Sequence, residues 1–129
     1  MNVVVIAGRL SGPPAERVLP SGTRIMSLQV TAAGPGGREG GRADSVPVAW
    51  FDPPAVAVEL DEGDEVVVLG RVRRRFFRAG SVTQSRTEVV AERVIPARRA
   101  SAVRTALASA VERLASGLEA EQEAGRRRR

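Results

Sequence analysis

An all-β domain followed by one long helix is the architecture this sequence predicts, and two patterns predict it. Residues 1–96 consist of short β-branched and aliphatic runs separated by Gly and Pro clusters, the signature of short strands joined by tight turns in a small closed or sandwiched β structure. After Pro96 the composition changes to Ala, Arg and Glu, and Val103, Leu107, Val111, Leu114 and Leu118 recur at spacings of four, four, three and four, which is one apolar stripe on a helix. A chain of 129 residues is long enough for one domain with an appendage. The expected organisation is a β domain over residues 1–96 and an amphipathic helix over 97–129 that frays into a disordered arginine-rich end, Arg126 to Arg129.

Five strands can be placed. Asn2 to Leu10 is the first, with Val3, Val4, Val5 and Ile6 apolar on both faces, as expected where one side fills a core and the other meets a second surface. Pro20-Ser21-Gly22 turns the chain into a second strand, Thr23 to Ala33, in which Met26, Leu28 and Val30 alternate with Ser27, Gln29 and Thr31 as in a half-buried ribbon. Gly34 to Arg42 reads as a mobile hairpin loop, and Ser45 to Phe51 as the third strand. Asp52-Pro53-Pro54 signals a helix start, giving Ala55 to Leu60 one or two turns before Asp61-Glu62-Gly63-Asp64 ends them. Glu65 to Phe77 and Val82 to Val94 then form a long hairpin about Arg78-Ala79-Gly80-Ser81. Three strands, a short helix between strands three and four, and a closing hairpin is the order of a five-stranded OB-fold barrel.

Composition excludes most chemistry. The chain has no Cys and no His, so disulfides, thiolate zinc sites, cysteine nucleophiles, imidazole bases and His-ligated metals are ruled out; no cofactor or metal is expected, and no enzymatic activity. The acidic group Glu59, Asp61, Glu62, Asp64 and Glu65 matches no calcium loop and reads as a solvated face. The glycine-rich segment lacks the Gly-Lys-Ser or Gly-Lys-Thr of a phosphate cradle, although Arg38 and Arg42 within it could touch a phosphate. No run of about eighteen apolar residues is available for a membrane span, and the opening residues lack the basic start of a signal peptide, so a cytoplasmic protein without membrane association is expected.

The densest signal is Arg71-Val72-Arg73-Arg74-Arg75-Phe76-Phe77-Arg78. Side chains alternate along a strand, so Arg71, Arg73, Arg75 and Phe77 share one face if the strand is regular. Cations beside an aromatic platform are what single-stranded nucleic acid requires: guanidinium groups neutralise phosphates while a ring stacks on any base. The bland alternative is an exposed edge kept soluble by arginine, with Phe76 and Phe77 filling the end of the barrel. Trp50 and Phe51 are adjacent, so one points inward and the other outward; Trp50 is taken as the exposed one. The candidate nucleic-acid-binding set is therefore Trp50, Phe77, Arg71, Arg73, Arg75 and Arg78, with Arg74, Phe76 and Arg9 as neighbours.

Several stretches in residues 1–96 carry a resemblance. They are Asn2-Val3-Val4-Val5-Ile6-Ala7-Gly8-Arg9-Leu10, the turn Pro20-Ser21-Gly22-Thr23, Val46 to Phe51, Glu62-Gly63-Asp64-Glu65-Val66-Val67-Val68-Leu69-Gly70-Arg71-Val72, and Thr87-Glu88-Val89-Val90-Ala91. Their order and spacing together resemble the bacterial single-stranded DNA-binding protein family. The resemblance implies an OB-fold that binds single-stranded DNA without sequence preference and assembles as a homo-oligomer, a tetramer or a dimer. It also puts Arg73, Arg75 and Phe77 where the family has Arg, Arg and a stacking Trp. The sequence departs from the family at two places where aromatics are usual, offering Gly36 and Asp44-Ser45 instead, and it ends in arginines rather than an acidic tip.

The reading is a divergent or accessory paralog that coats single strands in DNA replication, recombination or repair. Its rival is an OB-fold adaptor that binds proteins with weak or no DNA binding. Residues 1–96 carry 12 Arg against 11 Asp and Glu, whereas 97–129 carry 8 against 4, and that near-neutral first part favours the rival. Five arginines beside aromatics on one hairpin favour the first reading, since protein interfaces usually mix charge signs. The helix either packs on its own barrel or a second copy, or docks a protein partner. RNA in place of DNA would use the same stacking and phosphate contacts.

Overall fold

The structure, a computed structural model, describes residues 1–32 and 43–129; Ala33 and the Gly34–Arg42 segment expected to form a hairpin loop, with Arg38 and Arg42, lie outside the described residues. The elements are β1 (Val4–Leu10), β2 (Ala15–Val18), β3 (Arg24–Ala32), β4 (Asp44–Phe51), a 3-10 turn (Ala55–Glu59), β5 (Glu65–Ala79), β6 (Val82–Pro96) and α1 (Ala100–Arg127). The strands form one sheet in the order β1-β5-β6-β4-β3-β2, and an additional β1–β3 pairing through Arg9↔Thr31 and Leu10↔Val30 joins β1, β5, β6, β4 and β3 in a closed circuit of ladders. All pairings are antiparallel except β4–β6. A mostly β chain with this order and a C-terminal helix is consistent with the OB-fold.

Two differences from the expected elements have clear causes. A sixth strand, β2, precedes the Pro20-Ser21-Gly22 turn and pairs with β3 from Ala15↔Ser27 to Val18↔Arg24. Its residues are all exposed and none forms a β-branched run; pairing to β3 and the Glu16–Arg24 ion pair hold it. The hydrogen bond from Arg24, and its charge, keep the Glu16 carboxyl below the usual carboxylate range. The short helix is only a 3-10 turn, closed by Ala57 N–H to Pro54 O at 2.9 Å and Leu60 N–H to Ala57 O at 3.1 Å. Pro54 offers no side-chain cap, Val56 and Val58 disfavour helix, and the turn serves to bury Ala57 and Leu60.

The core inside the circuit is made of inward-facing residues from every long strand: Leu10, Met26, Leu28, Val30, Val48, Trp50, Val66, Val68, Val89, Ala91 and Val94, closed at one end by Ala57 and Leu60. A second apolar cluster lies on the opposite side of β5 and β6, where Val67, Leu69 and Ile95 meet Ala102, Val103, Ala106, Leu107 and Ala110 of α1. One irregularity connects the two. Gly70 pairs with Ala91 while Leu69 pairs with Arg93, so Glu92 is an extra residue in β6. A bulge of this kind reverses the inside–outside alternation of the strand beyond it. Val89 and Ala91 face the inner core before the bulge; after it Val94 faces inward and Ile95 faces the helix.

The helix therefore docks through alanines rather than through the whole expected stripe. Ala106 and Ala110 are buried, whereas Val111 is 63% exposed and Leu118 46% exposed, because small side chains let α1 approach the sheet closely and set its rotation. α1 also continues to Arg127, through arginines expected to form an irregular end; Arg126 and Arg127 lie 4.0 and 3.5 Å from Glu123 and at the end of the helix dipole that favours cations. No described helix is long and apolar enough to cross a membrane.

Gly70 faces the bulge with no room for a side chain: a Cβ there would lie 2.1 Å from the carbonyl oxygen of Val90. Gly70→Ala is expected to lower stability by about 1–3 kcal/mol, the usual cost of overpacking, read as a lower midpoint in urea unfolding monitored by circular dichroism.

Candidate nucleic-acid interface

The outer half of the β5–β6 hairpin is where the arginine-rich segment lies. Its pairing is regular from Arg71↔Val90 to Ala79↔Val82, so Arg71, Arg73, Arg75 and Phe77 project from one side and Arg74, Phe76 and Arg78 from the other. The first side continues onto the outer face of β3 and β4. There Ile25, Ser27, Ala49 and Phe51 join Arg73, Arg75, Arg86 and Glu88 of the hairpin, and Arg17 and Leu19 of β2 and its turn, around a groove of about 530 Å³.

Aromatic and cationic groups are interleaved along that groove. The Arg73 guanidinium lies over the Phe51 ring, 5.2 Å from its centroid, and that of Arg75 lies 5.6 Å from the centroid of Phe77. Contacts of this type are worth about 0.5–1 kcal/mol at exposed sites. Both arginines converge on Glu88: Arg73 donates from Nε at 3.0 Å and from Nη2 at 2.9 Å, and Arg75 Nε lies 3.4 Å away, all to Oε1. On the other side of the hairpin Arg74 lies over Phe76 at 5.4 Å and donates to Ser85 Oγ at 3.1 Å.

The groove brings together Arg73 and Arg75 but not the rest of the candidate set; Phe77 lies beside Arg75 without lining it. Arg71 shares their side of β5 yet does not line the groove. Arg74, Phe76 and Arg78 belong to the reverse side, and Phe76 is 66% exposed rather than filling an end of the core. Arg9 is exposed on β1, opposite Thr31 and Glu65, and is not part of the lining.

Trp50 corrects the expectation outright. It is 5% exposed and belongs to the inner core, and Phe51 is the member of the pair that faces the groove. The reason is legible in the strand: Val46, Val48 and Trp50 share one parity and all turn inward, which leaves Pro47, Ala49 and Phe51 outside. That alternation was the signal for Phe51. Arg86 and Glu88 had a weaker one, their cross-strand positions opposite Arg75 and Arg73, while Arg17 had none, because β2 carries no strand signature.

Comparison with protein-family models matches residues 1–96 to the model described as the Single-strand binding protein family. No curated protein matches the chain.

Burial of its single tryptophan makes one property directly observable. Trp50 emission is expected to be shifted to the blue of free tryptophan in water and weakly quenched by iodide, with both features lost together on unfolding in urea. Red-shifted, readily quenched emission from the folded protein would contradict the inward orientation of Trp50.

Proposed function

This chain belongs to the single-strand binding protein family, and from that premise we propose that it binds single-stranded DNA along the groove between the outer face of β3–β4 and the β5–β6 hairpin. Single-stranded DNA binding is the property of the family; the placement on these residues is our reading. The observation that carries it is the interleaving of Phe51, Arg73 and Arg75 in one groove, with Phe77 beside Arg75 next to it and Arg17 and Arg86 on its walls. Rings and guanidinium planes give bases something to stack on irrespective of identity, and arginines at the walls meet the phosphates. Phe51 takes the stacking role first expected of Trp50. Arg71, Arg74, Phe76, Arg78 and Arg9 act as flanking contacts, if the strand continues past the groove ends.

The closed circuit of ladders corresponds to the barrel of an OB-fold, with the groove on its outer surface. The proposal extends to a non-enzymatic, cytoplasmic coating protein, self-associated as a tetramer or dimer, serving replication, recombination or repair as a divergent member of its family. The adaptor reading draws on a separate observation. A cleft of about 320 Å³ lies between the 3-10 turn and the start of α1, walled by Trp50, Val56, Leu60, Arg98 and Arg99, and the helix beyond it leaves Val111 and Leu118 exposed.

Fluorescence anisotropy with labelled oligo-dT, a mixed-sequence single strand and duplex DNA tests the proposal. Preference for single strands is expected, and Phe51→Ala and Phe77→Ala should each weaken it by roughly 1–3 kcal/mol, about 5- to 150-fold, the usual worth of one base–aromatic stack. No binding at low salt, or equal affinity in both variants and the unaltered protein, would move the function to the adaptor reading.

A further inference from the structure

Among the described residues Glu88 is the only buried charged side chain, at 5% exposure, and it sits in the floor of a cationic groove. One of its oxygens, Oε1, receives all three arginine contacts, two from Arg73 and one from Arg75. Each of these arginines thus lies between the carboxylate and a ring, Arg73 beside Phe51 and Arg75 beside Phe77. Among the described residues Arg17 and Arg86, on the same groove, form no ion pair.

Resting on the single-strand reading above, we infer that Glu88 is a positioning residue. It holds Arg73 beside Phe51 and Arg75 beside Phe77 as stacking surfaces and cancels one of their two positive charges, leaving more of the phosphate neutralisation to Arg17 and Arg86. Two physical arguments support this. An arginine side chain is flexible, and fixing it on a phosphate or a base costs rotamer entropy; here two hydrogen bonds fix the Arg73 guanidinium on the buried carboxylate and an ion-pair contact draws Arg75 to the same oxygen. A guanidinium already compensated by a carboxylate at 2.9 Å holds few counterions to release, so it adds little to the salt dependence of binding. Each unpaired arginine that neutralises a phosphate adds about 0.7 to the slope of log K against log salt for single strands. Glu88 accordingly sets how much of the affinity is stacking and how much is charge.

The test is the salt slope of oligo-dT binding, read by anisotropy for the unaltered protein, Glu88→Gln, Arg86→Gln and Arg73→Gln, with circular dichroism melts on each. Gln keeps the shape of the side chain and an acceptor oxygen but removes the charge. The slope of Glu88→Gln is expected to steepen by about 0.7, one arginine's worth, with tighter binding at low salt. Arg86→Gln should flatten the slope by about 0.7, and Arg73→Gln by less than half as much while weakening binding at every salt concentration. A merely structural ion pair would shift the melt and leave the slope alone. An unaltered slope in Glu88→Gln, or equal flattening in Arg73→Gln and Arg86→Gln, overturns the inference while the single-strand reading stands. Absence of binding by the unaltered protein overturns both. If Glu88→Gln does not fold, the comparison of Arg73→Gln with Arg86→Gln decides alone.

Discussion

Everything in this molecule hangs on the long β5–β6 hairpin and on the one residue of β6, Glu92, that has no partner position on β5. Each strand is 15 residues long, about twice what the core needs, so half of the hairpin builds the core and half projects beyond it. With perfect alternation, β6 could not present Glu88 to the groove, Val94 to the inner core and Ile95 to the helix. The extra residue Glu92 resets the parity between these positions. Gly70 makes this possible by letting the backbone of Val90 come close. Core, helix seat and groove are thus three consequences of one ladder.

The groove's chemistry is a balance rather than an accumulation of charge. A row of arginines on one strand face repels itself, and without a counter-charge the side chains would spread into solvent. The buried carboxylate of Glu88 gathers Arg73 and Arg75, and the rings of Phe51 and Phe77 lie within cation–π distance of them. Burying a carboxylate is costly unless it is paired and hydrogen-bonded; here the surrounding guanidinium groups meet that condition. The result is a surface with aromatic and cationic groups side by side.

The helix adds to this in a different way. Its first half is a lid over the outer cluster of Val67, Leu69 and Ile95, close-packed through Ala106 and Ala110. From Val111 onward it carries Val111 and Leu118 outward. An apolar stripe with a perfect helical period has thus been split, one portion consumed by the sheet and another left at the surface.

Alternation and punctuation, which are local, were enough to determine from the sequence five of the six strands of residues 1–96, that a helix follows Pro96, and that Arg73, Arg75 and Phe77 share a face. The parity of Val46, Val48 and Trp50 also held the answer for Phe51. Tertiary structure alone decided the rest. β2 exists because β3 offers it a partner, not because Ala-Glu-Arg-Val favours a strand. The helix rotated onto alanines because the distance to the sheet, not the amphipathic period, chose the contact face. Glu88 became the centre of the groove because an antiparallel register set it opposite Arg73. Each of these depends on which residues meet across the fold, and pairing between distant segments leaves no periodicity in either one.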